Sequence, residues 1–169
     1  TGSCRFPSQA SVRTGADGRP VFDASTLSIS HSRHEAMAAV ARTPIGVDTE
    51  TFDAMRADSL AALVRPREAE ALRRGLGCDL PAARTLAWCL KEALFKATGS
   101  GAFAAFAGAL QLLQWTRGDP GPEWRWDAAC APADAPAARA WQARFGIGAD
   151  AAWVLVAPAS APANSFDFD

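Results

Sequence analysis

The chain has 169 residues and a formal net charge of −1, a length that suits one domain or two small lobes. A charge so close to zero provides no field that would attract nucleic acid or an anionic membrane. No apolar run is long enough to span a bilayer, and the first residues lack the basic and apolar segments of a signal peptide.

Cysteine usage bears on metal chemistry and on location. The four cysteines are Cys4, Cys78, Cys89 and Cys130, and none is paired at metal-ligand spacing, so a zinc site is not expected. Scattered cysteines at low density fit a reducing cytosol, which predicts a cytoplasmic protein. We interpret Cys89, which lies in a helix-like run, as a small buried residue rather than a nucleophile.

The first fifty residues carry turn and strand patterns. Gly, Asp and Pro punctuate residues 15–20 and predict a turn. Residues 26–32 alternate apolar side chains with serines, as a strand does, and residues 45–50 predict a second short strand. Residues 33–41 are compatible with a short helix or with a strand whose propensity is masked by alanine.

Helical spacing dominates the middle of the chain. Apolar residues recur at helical spacing over residues 53–64, and Pro66 predicts the start of a further helix over 66–74. The clearest element is a helix over about 81–98, where apolar residues return every three or four positions. Asp79 is its expected N-cap, and Gly99 is expected to end it.

The C-terminal part predicts strands joined by loops. The expected elements are strands over 109–116, 123–129 and 152–157, a turn over 117–122, a loop over 131–138 and a disordered tail over 158–169.

Three carboxylates stand out as candidate metal ligands. Asp48 and Glu50 are two apart on a predicted strand and leave the same face, while Glu92 lies on the long helix. Carboxylates without histidine form a hard oxygen site that suits Mg²⁺. Lys91 and Lys96 flank Glu92, and lysine beside such a site can stabilise a diphosphate leaving group. Singly, these pairs are equally typical of a solvated strand edge and a surface ion pair.

Three sequence blocks resemble a known family. ISHS at 29–32, GVDTE at 46–50 and WCLKEALFKATG at 88–99 are similar to the signature blocks of the phosphopantetheinyl transferases. The Ser-His block precedes the Asp block here, an order that resembles the surfactin-synthetase type rather than the short holo-acyl-carrier-protein synthase type. GRP at 18–20 and RPRE at 65–68 resemble two further blocks of that type.

The resemblance implies an α+β fold of small antiparallel sheets packed on a long helix. Enzymes of the surfactin-synthetase type are built from two related halves, so a pseudo-twofold with a shortened N-terminal half is expected here. We expect an N-terminal remnant at 1–14, the transferase domain at 15–157 and a flexible tail at 158–169. Three interpretations of the short start stay open: a chain trimmed from a longer protein, the terminal domain of a polyketide synthase, or a compact form that gains a second half by self-association.

The resemblance also implies roles for individual residues. Asp48, Glu50 and Glu92 would ligate Mg²⁺ on the diphosphate of coenzyme A, and Glu92 would assist removal of a proton from the attacking serine. Lys96 would stabilise the phosphate under attack, with Lys91 near the same phosphates. The remaining contacts to coenzyme A would come from Ser30 and His31 at the 3′-phosphate and from Gly18, Arg19 and Pro20 at the adenine. Glu68 is a weaker candidate for orienting or replacing a base.

The implied partners are coenzyme A as substrate and an acyl or peptidyl carrier protein of fatty acid or polyketide biosynthesis, either separate or part of the same polypeptide. The implied activity transfers 4′-phosphopantetheine to a carrier serine, with Mg²⁺, and releases adenosine 3′,5′-bisphosphate. One alternative is a catalytically silent module that only docks a carrier protein. Another is a Mg²⁺-dependent nucleotide pyrophosphohydrolase, although the glutamate-rich helix typical of such hydrolases is not apparent.

Overall fold

A computed structural model describes residues 12–15, 20–22, 25–54, 63–98, 101–117, 121–131, 135–137 and 140–159. These ranges contain nine strands and three helices. The strands are β1 (Val12–Thr14), β2 (Pro20–Phe22), β3 (Ser25–His31), β4 (Ala36–Ala41), β5 (Gly46–Thr51), β6 (Leu110–Trp115), β7 (Pro122–Trp126), β8 (Trp141–Ile147) and β9 (Ala151–Pro158). The helices are α1 (Pro66–Leu76), α2 (Leu80–Thr98) and α3 (Phe103–Ala109).

The strands form three separate antiparallel sheets. The first has four strands in the order β1-β2-β3-β4, the second has the order β5-β9-β8, and the third pairs β6 with β7. Helix α2 packs against β5 and β9, with α1 and α3 beside it. The predicted α+β class, with small antiparallel sheets on a long helix, is therefore confirmed.

Most of the predicted elements agree with the structure. The strands expected at 26–32, 45–50, 109–116, 123–129 and 152–157 correspond to β3, β5, β6, β7 and β9, and the two helices expected after Pro66 correspond to α1 and α2. The ambiguous segment 33–41 forms strand β4 from Ala36 onward. Six of its residues pair with β3, and this pairing overrides the helix preference of alanine.

Four elements were not expected from the sequence, namely β1, β2, β8 and α3. Strand β2 begins at Pro20, the last residue of the segment that was predicted as a turn. Strand β1 lies within residues 1–14, which we had set apart as a remnant, and it pairs with β2; the domain limits remain a prediction. The helix expected at 53–64, the turn at 15–20 and the tail at 158–169 fall mostly outside the described residues.

The second sheet lies between two other layers. Residues Gly46, Asp48 and Glu50 of β5 are paired with Val156, Val154 and Ala152 of β9, and that face of the sheet contacts the core around α2. The intervening residues, such as Val47 and Leu155, pack with Met37 and Ala39 of β4. Alternation along β5 thus directs its two carboxylates to the helix side.

Capping interactions stabilise both ends of α1 and the start of α2. In α1, Pro66 occupies the first turn, Glu68 accepts a hydrogen bond from the Arg65 amide at 2.7 Å, and Gly77 ends the helix at φ 65°. In α2, the Asp79 carboxylate accepts from the Ala82 amide at 2.9 Å, which confirms the expected N-cap. In the part of the chain that the structure describes, no helix is long and apolar enough to cross a membrane.

Candidate functional site

The site is built where strand β5 approaches helix α2 unusually closely. A Cβ atom added to Gly46 would collide with the carbonyl group of Ala93 and would lie 2.9 Å from the Ala97 amide nitrogen. Only a residue without a side chain permits this approach. Two positions further along the same face is Asp48, which the close approach brings against the last turns of α2.

Asp48 is the centre of a polar network. Its Oδ1 atom accepts hydrogen bonds from the Ser30 hydroxyl and from Nζ of Lys96, both at 2.7 Å. The Lys96 ammonium also donates to the Val47 carbonyl at 3.2 Å and to Oγ of Ser30 at 3.3 Å. Because Asp48 is only 4% exposed, these donors replace the water that an ionised carboxylate would otherwise need.

Glu92 joins the same network from the helix. Its Oε2 lies 3.5 Å from Nζ of Lys96, so one ammonium stands between the carboxylates of Glu92 and Asp48. Burial raises the pKa of Glu92, and the negative charges of Asp48 and Glu50 raise it further, while Lys96 opposes the shift. The three predicted carboxylates therefore share one electrostatic environment.

Glu50 is held at the edge of this group. Its Oε1 accepts a hydrogen bond from the Thr51 amide at 2.9 Å, and its side chain is half-buried. Among the described residues, no three carboxylate, imidazole or thiol groups converge into a ready-made metal cage. The donor chemistry nevertheless fits Mg²⁺, which is commonly bound by one or two carboxylates together with waters and substrate phosphates.

Lys91, which was expected near the phosphates of coenzyme A, is not brought to this network. Its side chain is buried, and Nζ donates to the Leu63 carbonyl at 2.7 Å and to Glu68 and the Ala107 carbonyl at 3.0 Å each. An ammonium has three protons, and all three are used here. Burial lowers the pKa of Lys91, while the Glu68 charge opposes the shift.

Glu68 is likewise structural in its contacts. It is fully buried, and its carboxylate accepts from the Arg65 amide, the Leu112 amide at 2.8 Å and Lys91. The ion pair of Glu68 with Lys91 thus joins α1, α2 and α3 to β6. Within the described residues, the contacts of Glu68 are to this framework and not to the Asp48 network. A role for Glu68 in orienting or replacing a base stays a prediction.

Two of the remaining predicted contacts to coenzyme A lie on strands of the first sheet. His31 is exposed at the end of β3, directly after Ser30, and Pro20 is half-buried in β2. Gly18 and Arg19 lie outside the described residues. Cys89 is fully buried on α2, and burial raises the pKa of its thiol well above the ordinary value, which agrees with its interpretation as a structural residue.

Lysine is scarce in this sequence, a feature that was not used to predict the site. The chain contains seventeen basic residues, of which only Lys91 and Lys96 are lysines. Both lie in α2, and both use a compact ammonium among three or more oxygens. The planar guanidinium of arginine does not match that geometry. Lysine at these two positions, in a chain that otherwise uses arginine, is therefore consistent with a need for a compact ammonium.

Comparison with known proteins finds relatives that share one name. The chain is 38% identical over 102 residues to "Enterobactin synthase component D" of Escherichia coli O157:H7 and of Shigella flexneri, and 36% identical to the protein of that name from Escherichia coli strain K12. Each match covers 59% of this chain and 48% of the relative. The chain therefore spans about half the length of the curated relatives it matches.

A family profile matches more of the chain than any single motif does. The profile described as the 4′-phosphopantetheinyl transferase superfamily matches residues 44–144, which is more than half of the sequence. The matched segment includes Asp48, Glu50, Glu92 and Lys96, whose contacts are described above. The chain belongs to the 4′-phosphopantetheinyl transferase superfamily.

Proposed function

We propose that the chain transfers 4′-phosphopantetheine from coenzyme A to a serine of an acyl or peptidyl carrier protein. The observation that carries the proposal is the network in which Lys96 lies between Asp48 and Glu92, within the segment that the family profile matches. Such a network can bind a diphosphate, because it offers carboxylates for a metal ion and an ammonium for phosphate oxygens.

The proposed reaction is a displacement at phosphorus. The carrier serine oxygen forms a bond to the β-phosphorus of coenzyme A. The bond from that phosphorus to the bridging oxygen breaks, and adenosine 3′,5′-bisphosphate leaves with the electron pair. The serine proton passes to Glu92, directly or through water.

Three carboxylates, those of Asp48, Glu50 and Glu92, would hold Mg²⁺. When bound, Mg²⁺ would supply positive charge to the diphosphate oxygens. Lys96 would exchange part of its contact with Asp48 for a phosphate oxygen. Its partly exposed position permits this, since 27% of its side chain is open to solvent. His31, Gly18, Arg19 and Pro20 are proposed contacts to the 3′-phosphate and adenine, as in the surfactin-synthetase type.

Intact-protein mass spectrometry tests the proposal. Apo acyl and apo peptidyl carrier proteins are each incubated with the chain, coenzyme A and Mg²⁺, and a parallel sample contains a chelator. We expect one carrier or both to gain the mass of one phosphopantetheine group, and the chelator to abolish the gain. Unmodified carriers in every sample would contradict transfer by this chain.

A silent docking module is the second candidate, because the chain covers only 48% of each relative that it matches. Such a module would bind a carrier protein without coenzyme A. Isothermal titration calorimetry separates the two candidates. Heat on titrating coenzyme A with Mg²⁺ favours the transferase, whereas heat with the apo carrier and none with coenzyme A and Mg²⁺ favours the docking module.

A further inference from the structure

Two serines of strand β3 connect the first sheet to the second. Strand β5 is paired with β9 along one edge, and on its β3 side the amides of Val47 and Thr49 donate to Oγ of Ser28 at 2.9 Å and of Ser30 at 3.3 Å. Both serines are buried. Their hydroxyls therefore take the place of backbone carbonyls and satisfy two amides that would otherwise be buried without partners.

Ser30 differs from Ser28 in having two further contacts. Its hydroxyl donates to Oδ1 of Asp48 at 2.7 Å, and its oxygen accepts from Lys96 at 3.3 Å as well as from the Thr49 amide. A serine hydroxyl has one proton and two acceptor lone pairs. All three are used within the protein, so Ser30 has no donor left for a phosphate while it holds Asp48.

We propose that Ser30 is a positioning residue that orients the Asp48 carboxylate for the metal ion, and that it is not a ligand of the 3′-phosphate. This inference rests on the proposed function for its link to transfer. With Ser30 and Lys96 both on Oδ1, the carboxylate is held in one orientation. When Lys96 turns to a phosphate, Ser30 remains as the donor that keeps Asp48 in place. Partners of this kind change metal affinity by about 10- to 100-fold.

The first experiment measures metal binding on the chain alone. Mn²⁺ is titrated as a probe and followed by electron paramagnetic resonance, without coenzyme A or carrier. We expect Ser30→Ala to weaken Mn²⁺ binding about tenfold or more and Ser30→Thr, which keeps the hydroxyl, to restore it. Ser28→Ala is the matched control, because it removes the equivalent bond to β5 and, among the residues that the structure describes, Ser28 has no hydrogen bond to a carboxylate. It should bind Mn²⁺ like the unmodified chain.

The second experiment separates orientation of Asp48 from contact with the 3′-phosphate. Transfer is measured with coenzyme A and with 3′-dephospho-coenzyme A across a range of Mg²⁺ concentrations. We expect Ser30→Ala to raise the Mg²⁺ concentration for half-maximal transfer by the same factor with both substrates. A defect that appears with coenzyme A and disappears with the dephospho substrate would overturn the inference in favour of a phosphate contact.

The packing around Ser30 calls for a second pair of variants. Ser30→Thr and Ser30→Val have the same shape, so their comparison isolates the hydroxyl even where Ser30→Ala loosens the fold. Equal Mn²⁺ affinity for the two, or no Mn²⁺ binding by the unmodified chain, would overturn the inference. Because the metal titration needs no transfer, an inactive chain with hydroxyl-dependent Mn²⁺ binding would refute the proposed function while supporting the role of Ser30.

Discussion

Nζ of Lys96 lies 2.7 Å from Oδ1 of Asp48, so a single ion pair connects helix α2 to strand β5. The pair is only partly buried on the lysine side and almost fully buried on the aspartate side. A lysine so placed can hold the carboxylate in position and still reach a ligand at the surface. The consequences for activity and stability can be tested separately.

Lys96→Met should abolish most of the activity without unfolding the protein. The change removes the ammonium that would meet the phosphate and leaves Asp48 with Ser30 as a remaining hydrogen-bond donor. Loss of one preorganised charge typically lowers kcat about 10²- to 10³-fold. Steady-state transfer kinetics measure this, and circular dichroism checks the fold. Arg84→Met, an exposed change on the same helix, should be near wild type; equal kinetics for both variants would exclude a role for Lys96.

Gly46→Ala should destabilise the chain strongly. The new Cβ would collide with the Ala93 carbonyl, and both partners are backbone, so relief requires α2 and β5 to move apart. Overpacking of this kind costs about 1–3 kcal/mol or more. Urea denaturation measures the loss.

Gly108→Ala provides the control for that measurement. Among the described residues, no atom outside the adjoining residues and backbone of its own helix lies within 4 Å of the added Cβ. The residue is in helix α3, where alanine is about 0.5–1 kcal/mol more favourable than glycine. We expect unchanged or slightly higher stability. If both variants had the same midpoint, close approach of β5 to α2 would not be the reason for glycine at position 46.

Lys91→Met should lower stability because it leaves Glu68 buried without its ammonium. Removing one partner of a buried ion pair costs about 3–5 kcal/mol. Arg73→Met breaks a pair on the surface of α1, where Arg73 and Glu70 lie 2.8 Å apart and are largely exposed; such pairs contribute about 0–1 kcal/mol. Thermal and urea unfolding should separate the two variants clearly. Equal losses would contradict a buried structural role for Lys91.

Cysteine alkylation should follow burial rather than sequence context. Cys130 is exposed, Cys78 is half-buried with its pKa raised by burial, and Cys89 is fully buried. Because the thiolate is the reactive form, iodoacetamide should modify Cys130 first and Cys89 only after denaturation. Peptide mapping by mass spectrometry gives the order. Rapid labelling of Cys89 in the folded chain would refute its interpretation as a structural residue.

Local pattern predicted the elements that carry the site. Apolar residues at three- and four-residue spacing predicted α2, and alternation predicted that Asp48 and Glu50 share a face. Strand β4 could not be predicted from its own residues, because an alanine-rich segment has little strand propensity until β3 pairs with it. Strand β8 was missed for a related reason, since Ala143 and Gly146 weaken its alternation.

The functions of neighbouring residues could not be separated by sequence. Lys91 and Glu92 are adjacent, but successive residues on a helix point about 100° apart. One therefore faces α1 and α3, and the other faces β5. The contact between Ser30 and Asp48 depends on how two sheets pack, which strand patterns do not encode. The motif located the helix, while tertiary packing decides which side chain meets which partner.

The central claim is that the carboxylates around Lys96 support phosphopantetheine transfer, and the rate at which an apo carrier gains mass tests it most directly. The unmodified chain, Glu92→Gln and Glu70→Gln are compared with coenzyme A and Mg²⁺; the last is a surface change on α1. We predict rapid gain with the unmodified chain and with Glu70→Gln, and almost none with Glu92→Gln. Equal rates for all three, or no gain with any, would contradict the account.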